Sequence, residues 1–294
     1  MNLAGVARVA PVLLVALLLV APAASPARAL KVSWHPPSAR IGEIAWVHVN
    51  GAPDGVTLEG SVEGRPLYFF PYGAGQAALT GFDLDAKPGH HTWRVAVLAP
   101  GRDPVMVTGR LSVQGRDFPV ERLTLPPPMV DLDPATERRA LAEADLMRSV
   151  LRAVTPQRLW RGKFTLPVAT DAPGKGFGAR RVINDQPRSP HSGTDYALPQ
   201  GTPVVAANDG RVALVGEHFF PGRLVVLDHG HGLYTLYFHL HEVTVAPGAG
   251  VTRGQPIGTV GASGRATGPH LHFGVQLGGA RVEPASLLGL PLLD

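Results

Sequence analysis

Short runs of alternating hydrophobic and polar residues dominate the chain from residue 30 to about residue 115. Strand side chains point to opposite faces in turn, so this period-two pattern predicts strands with one buried face. Clusters of Gly, Pro, Asp and Asn separate the runs, and no helical pattern lies between them. The pattern predicts a β-sandwich-like module over residues 30–116. The runs cover residues 44–49, 67–70, 91–98 and 110–113.

A connector of different character follows, over residues 117–163. Its first part, 117–128, is rich in proline and is predicted to be extended and semi-rigid. A helix is then expected, with Asp133 as N-cap and Pro134 at the first helical position, running to about Val154. Charges of both signs are mixed along this segment, which favours a solvated helix that connects two domains.

The last part of the chain, residues 164–294, is again β-rich and is punctuated by glycine. No helical pattern interrupts its strands. We therefore expect a mainly β protein whose C-terminal domain is antiparallel, with connecting loops that form a groove. The predicted strands cover residues 203–207, 210–215, 223–228, 233–240 and 256–260, and a further strand contains His270 and His272.

The first 29 residues have the pattern of an export signal. A positively charged start precedes an apolar block over residues 9–21, and Ala27-Arg28-Ala29 offers a small-x-small cleavage site. A transmembrane anchor is the alternative, but the block is shorter than the roughly 20 apolar residues that a span needs. We predict a signal peptide over residues 1–29, a periplasmic or extracellular location, and no stable membrane anchor after cleavage.

Composition narrows the possible chemistry. The formal net charge of +4 falls by two units when Arg8 and Arg28 leave with the signal, so charge gives no argument for a nucleic-acid partner. The chain has no cysteine, which excludes disulfides, thiolate zinc sites and a catalytic thiol. Any metal ion must therefore be held by His, Asp or Glu. The sequence makes no prediction about oligomeric state.

Histidine is concentrated in the C-terminal part, where residues 191–272 contain eight of the 12 histidines. Three segments stand out: HSGTD at 191–195, YFHLH at 237–241 and GPHLH at 268–272. Two imidazoles and one carboxylate from these segments would form a three-ligand zinc site with water in the fourth position, as in catalytic zinc sites. Such clustering argues against ordinary core histidines.

Spacing alone leaves the roles open. His191 and Asp195 are expected to converge because Gly193 lets the backbone turn between them. His270 and His272 share one face of a strand, so one could bind the metal while the other transfers protons. Alternation puts His239 and His241 on the same face as Tyr237, and it does not choose between the two histidines.

Together the segments HSGTD, YFHLH and GPHLHFGV resemble the signature motifs of the lysostaphin-like, or LytM-like, zinc metallopeptidases. The resemblance covers roughly residues 164–288. It implies one Zn²⁺ per chain with His191, Asp195 and His272 as ligands, and it makes His239 and His270 the catalytic pair. The family's Tyr-x-His-Leu pattern selects His239 rather than His241. We expect His270 to act as the base and His239 to stabilise the oxyanion, although these roles can be exchanged.

The resemblance implies an exported zinc metallo-endopeptidase that cuts peptide stems or cross-links of bacterial peptidoglycan. The alternative is a non-catalytic LytM-like module that binds and regulates another wall hydrolase. Such relatives usually lack some metal ligands, whereas the set is complete here. A lipoyl or biotinyl carrier is excluded because the last lysine is Lys175, and a serine hydrolase because residues 261–264 do not match G-x-S-x-G.

Other polar residues near the motifs have less distinctive patterns. His229 and His231 flank a glycine in a predicted turn, and His218 lies in a loop that could border the groove. None of these three histidines is expected to take part directly in the chemistry. Three further residues either line the substrate path or are solvated, namely Arg180, Arg181 and Asn184.

Overall fold

A computed structural model describes residues 30–53 and 55–291 and confirms the prediction of a mainly β protein. The predicted signal peptide lies outside the described residues. None of the helices described is long and apolar enough to span a membrane.

Two β-sheets make up the N-terminal half and pack face to face. A four-stranded sheet has the order β1-β3-β7-β6, and a five-stranded sheet has the order β2-β9-β8-β4-β5. Their facing side chains form one buried cluster, which includes Val47 and Val49 from the first sheet and Val95 and Val113 from the second. The strands are β1 (Lys31–His35), β2 (Ser38–Arg40), β3 (Ile44–Asn50), β4 (Thr57–Val62), β5 (Arg65–Leu67), β6 (Phe70–Tyr72), β7 (Gly75–Gly81), β8 (Gly89–Leu98) and β9 (Val105–Gln114).

A nine-stranded antiparallel sheet forms the body of the C-terminal half, with the order β13-β20-β17-β16-β15-β18 along its main path. The remaining strands pair on β17 or β20, directly or through a neighbour. The members are β13 (Gly193–Tyr196), β14 (Pro203–Val205), β15 (Gly210–His218), β16 (Gly222–Asp228), β17 (Leu233–Val243), β18 (Gly250–Val251), β19 (Pro256–Val260), β20 (Leu271–Leu277) and β21 (Ala280–Val282). A short helix, α2 (Pro284–Leu288), follows and was not predicted, because five residues are too few for a helical pattern.

The proline-rich connector is extended, as the sequence suggests, but it also joins a sheet. Strand β10 (Val120–Leu123) pairs in parallel with β11 (Arg180–Ile183), which pairs with β12 (Gln186–Pro187). The main-chain hydrogen bonds hold this part of the connector against the C-terminal half. It is therefore not a free spacer.

Helix α1 (Pro134–Arg152) begins where the sequence predicts and ends two residues earlier than expected. Asp133 caps it, since its side chain accepts hydrogen bonds from the amides of Ala135 and Thr136. The helix is not simply solvated, because Leu151 packs against a buried cluster on the β16–β17 surface. A 3-10 turn at Pro127–Met129 precedes it.

The two halves of the molecule share one hydrophobic core. Strand β3 directs Val47 towards the sandwich interior and the alternate residue Trp46 towards the C-terminal half. Trp160 lies in this shared core, with its ring centroid 5.6 Å from that of Phe70. Ion pairs border the contact, including Arg281 with Asp83 at 2.6 Å. The four-stranded sheet is thus covered on both faces.

Replacing Trp160 by alanine should lower the free energy of unfolding by about 3–5 kcal/mol, because a large buried ring is lost from the core that joins the halves. Chemical denaturation followed by circular dichroism measures the effect. Leu146→Ala is the control, because Leu146 is exposed on α1 and its loss should change stability by less than about 0.5 kcal/mol. An equally small effect for Trp160→Ala would contradict the account of a shared core.

Candidate metal centre

Three side chains with metal-binding atoms converge at the junction of β13 and β20. Asp195 lies directly opposite His272 in this antiparallel pair, and His191 lies two residues before β13. Asp195 Oδ1 is 2.9 Å from His272 Nδ1 and 3.0 Å from His191 Nε2. The two nitrogens are 2.8 Å apart. The structure therefore brings together the three residues that the motifs suggest as ligands.

The chemistry of this donor set fits a zinc ion. Zn–N and Zn–O distances of about 2.0–2.1 Å place two ligands of one tetrahedral ion about 3.3 Å apart, close to the spacing seen here. Two imidazole nitrogens and a carboxylate oxygen surround one point, and a cation bound there would take the place of the protons that now lie between them. Both rings are buried, with only 2% of His191 and 6% of His272 exposed.

Burial and hydrogen bonding shape the protonation of these groups. Burial opposes ionisation of Asp195, but hydrogen bonds from His191 and His272 outweigh it and hold the pKa of this carboxyl well below its usual range. Burial lowers the pKa of His272 to about 4, against the opposing effect of Asp195. An ionised carboxylate and a neutral imidazole are the forms that bind a metal ion.

Glycines clear the space for the imidazole rings. A Cβ at Gly193 would lie 2.6 Å from His272 Nε2 and 2.6 Å from the carbonyl oxygen of Phe273. A Cβ at Gly176 would lie 2.4 Å from His191 Nδ1. The expected role of Gly193 as a flexible turn was wrong, since it lies within β13. Glycine is needed at this position because the His272 ring packs against its Cα and leaves no room for a Cβ.

Gly193→Ala should therefore weaken zinc binding by at least about 10-fold, because the new methyl group displaces the His272 ring from its position beside Asp195. Competition with a fluorescent zinc chelator measures the affinity. Gly250→Ala is a matched control in the same sheet, where a Cβ would meet nothing within 4 Å. Equal zinc affinity in the two variants would show that this space is not needed.

Two further histidines stand beside this cluster. His270 Nδ1 lies 2.8 Å from the carbonyl oxygen of Gly268, and His239 Nδ1 lies 2.8 Å from that of Ser263. A carbonyl oxygen only accepts, so each Nδ1 carries a proton and each Nε2 keeps a free lone pair. The two ring centroids are 4.6 Å apart. Both rings are thus held in the tautomer that can accept a proton at Nε2.

His270 lies just before β20 rather than inside it, where it forms an isolated bridge with Gly261. Its Nε2 is 3.9 Å from Asp195 Oδ2, so it still lies on the same side as His272.

His239 reaches the site through an irregularity in β17. Phe238 and His239 together lie opposite the single residue Leu224 of β16, and His239 has a φ of 61°. This bulge breaks the alternation. Tyr237 therefore faces the core beside Phe273, while His239 turns towards His270. The expectation that Tyr237 and His239 share a face was wrong for this reason.

Burial, together with the nearby charges of His270 and His272, lowers the pKa of His239 to about 3. His239 is therefore a neutral ring at neutral pH.

The other polar candidates have contacts away from the centre. His229 is fully buried, with Nδ1 2.7 Å from the carbonyl oxygen of Asp209, and His231 stacks on Tyr68. Arg180 forms an ion pair with Asp85 at 3.4 Å.

Asn184 holds the connector, since its side chain donates to the carbonyl oxygen of Leu125 and accepts from the amide of that residue. Of the three residues that could line the substrate path, Arg181 alone contacts the centre, with Nη2 3.7 Å from Asp195 Oδ2.

Sequence reasoning missed the backbone acceptors that orient His239 and His270. The carbonyl groups of Ser263 and Gly268 are invisible to residue-type arguments. Close packing of two glycines brings the Ser263 segment into place, since a Cβ at Gly264 would lie 2.3 Å from the amide nitrogen of Gly222. Both glycines have positive φ angles. Gly222 and Gly264 are the sequence feature that could have indicated this close contact.

Comparison with known proteins places this arrangement in a family. The model of peptidase family M23 matches residues 189–284. A solved structure described as an M23 peptidase from Pseudomonas aeruginosa is 31% identical, with a TM-score of 0.66, and the match covers 86% of this chain and 95% of that one. The chain belongs to peptidase family M23. The three residues that could hold a metal ion, His191, Asp195 and His272, all lie within the part of this M23 chain that matches the family model.

Curated relatives match over the C-terminal part only. The peptidoglycan DD-endopeptidase ShyA of Vibrio cholerae is 46% identical over 95 residues, which is 32% of this M23 chain and 22% of ShyA. The DD-carboxypeptidase/endopeptidase Mpg of Neisseria meningitidis is 45% identical over 97 residues, or 33% of this chain and 22% of Mpg. The match therefore spans about a fifth of these relatives' own length.

Proposed function

We propose that this chain is an exported zinc metallo-endopeptidase that hydrolyses peptide cross-links of bacterial peptidoglycan. The convergence of ligand atoms from His191, Asp195 and His272 beside two histidines with free Nε2 atoms carries the proposal. The names of the relatives, which describe peptidoglycan DD-endopeptidases, support the substrate class. The apolar block and cleavage pattern of residues 1–29 support export.

His191, Asp195 and His272 would hold one Zn²⁺, which supplies a water of lowered pKa and polarises the carbonyl to be cleaved. His270 then accepts a proton at Nε2 and returns it to the leaving amine, while its Nδ1 stays bonded to Gly268. We assign the base to His270 because its Nε2 contacts Asp195 Oδ2, whereas the described structure has no such contact from His239.

His239 faces the same space with the same protonation pattern. Its Nε2 can donate a hydrogen bond to an oxyanion only after the ring has gained a second proton, because Nδ1 uses the first to bind Ser263. As a neutral ring with a lowered pKa, it can accept a hydrogen bond at Nε2 but does not hold a second proton at neutral pH. We therefore propose that His270, rather than His239, carries the transferred proton.

The direct test is to incubate the zinc-loaded protein with purified peptidoglycan and to identify new amino groups by mass spectrometry. We expect peptide fragments to be released, and chelation of zinc to stop the release. A protein that binds one zinc ion but forms no new amino groups would contradict the proposal. That outcome would favour the alternative, a non-catalytic module that regulates another hydrolase.

A further inference from the structure

A cavity of about 510 Å³ lies beside the candidate metal centre. Helix α1 forms one wall, and the segment between β10 and α1 forms another. Three arginines from separate elements complete the lining, namely Arg181 on β11, Arg188 just after β12, and Arg265 in the loop before β20. Three guanidinium groups around one cavity are an unusual concentration of positive charge.

The cavity adjoins the metal centre. Arg181 lines it and also lies 3.7 Å from Asp195 Oδ2 of the metal centre. Arg265 is two residues after Ser263, whose carbonyl oxygen orients His239. Arg181 therefore borders both the cavity and the metal centre.

Arg181 pairs with Glu121 and Asp195, so the uncompensated positive charge in the cavity comes from the other two arginines. Among residues 30–53 and 55–291, neither Arg188 nor Arg265 forms an ion pair. Arg188 donates to the carbonyl oxygen of Val130 and to the side chain of Gln186, and Arg265 lies 4.2 Å above the ring of Phe220. These partners are neutral. Burial and the charges of Arg181 and Arg188 lower the pKa of Arg265, as expected for cations held together.

The rest of the lining is largely apolar, with one acidic side chain, Glu137. Aliphatic groups come from the connector and α1, including Leu132, Ala140 and Leu141. A ligand that suits this surface carries a negative charge next to small aliphatic groups. A peptide with a free carboxylate meets both requirements, and the guanidinium fork matches a carboxylate in two-point geometry.

We propose that this cavity is a specificity subsite that binds a free carboxylate of the peptide substrate through Arg188 and Arg265, with Arg181 joining it to the metal centre. The assignment rests on the proposed peptidase function for its substrate. It adds that the protein distinguishes peptides by carboxylates away from the bond that is cut. Conversion of those carboxylates to amides would leave the arginines without a charged partner.

The test compares two stem peptides that differ only in this respect, one with free carboxylates and one with the same groups as primary amides. The zinc-loaded protein should cleave the acid form with a kcat/KM about 10- to 100-fold higher, because a charged hydrogen-bond partner is lost in the amide. Isothermal titration calorimetry of both peptides with the His270→Ala protein gives a second readout that does not depend on turnover.

Arg188→Gln and Arg265→Gln should each reduce this preference by about 10-fold or more, mainly by slowing cleavage of the acid form. Arg110→Gln is the matched control, since Arg110 is exposed on β9 and lies outside the cavity. Equal cleavage and equal binding of the acid and amide peptides by the unmodified protein would overturn the subsite.

A preference that persists in both cavity variants would also overturn it. Preferential binding of the acid peptide without cleavage would support the subsite and contradict the peptidase function, so the two failures are distinguishable.

Discussion

Replacing His272 by alanine should yield a folded protein that no longer retains zinc and has no measurable peptidase activity. His272 Nδ1 is one of the three converging atoms, and its loss leaves one imidazole and one carboxylate. Because loss of a residue that merely supports a metal ligand costs 10- to 100-fold in affinity, loss of a ligand should cost more than about 100-fold. Zinc content after gel filtration, measured by atomic absorption, gives the result.

His241→Ala is the matched control for this experiment, since His241 is two residues from His239 but is absent from the cluster of metal-binding atoms. It should retain one zinc ion per chain. Circular dichroism of both variants checks the fold. Retention of zinc at full stoichiometry by His272→Ala would exclude this residue as a ligand.

Replacing His270 by alanine should have a different effect, in which zinc is retained and the rate falls by about 10²- to 10⁴-fold. The reason is geometric: His270 Nε2 lies 3.9 Å from Asp195 Oδ2 but is not one of the three converging atoms. Its hydrogen bond to Gly268 keeps Nε2 free for proton transfer. Parallel measurements of zinc content and peptide release separate binding from catalysis.

The two histidine variants test whether His272 binds the metal ion while the neighbouring His270 transfers protons. If His270→Ala loses zinc to the same extent as His272→Ala, both residues are ligands and this assignment of roles is wrong. If His270→Ala keeps both zinc and full activity, the proton carrier lies elsewhere, and His239 becomes the first candidate.

Local patterns predicted part of the regular structure. The runs at 44–49, 91–98 and 110–113 lie in β3, β8 and β9, whereas the predicted strand at 67–70 was wrong, because this run spans the break between β5 and β6. The period-two runs predict strands, and Asp133 followed by Pro134 marks the start of α1, because capping depends only on neighbouring backbone amides. Elements defined by distant contacts were missed. Strand β10 exists because it pairs with β11, whose partner residues lie 60 positions further along the chain, and its proline-rich surroundings give no sign of that partner.

The alternation rule also has a physical limit at the site. It holds for His270 and His272, which lie on the same side of the chain. It fails for His239, because a bulge in β17 inserts one residue and reverses the facing of the side chain. Whether a strand contains a bulge depends on its neighbours in the sheet. Motif resemblance selected His239, whereas the spacing of residues could not.

By itself, the sequence determined the mainly β class, the capped helix and the types of side chain available for chemistry, since these depend on neighbouring residues and composition. Only the tertiary structure decided that His191, Asp195 and His272 meet within 3.0 Å of one another. It also decided that both halves share a core and that three arginines surround one cavity. Those features join residues far apart in the chain, and their distances are set by strand pairing and packing.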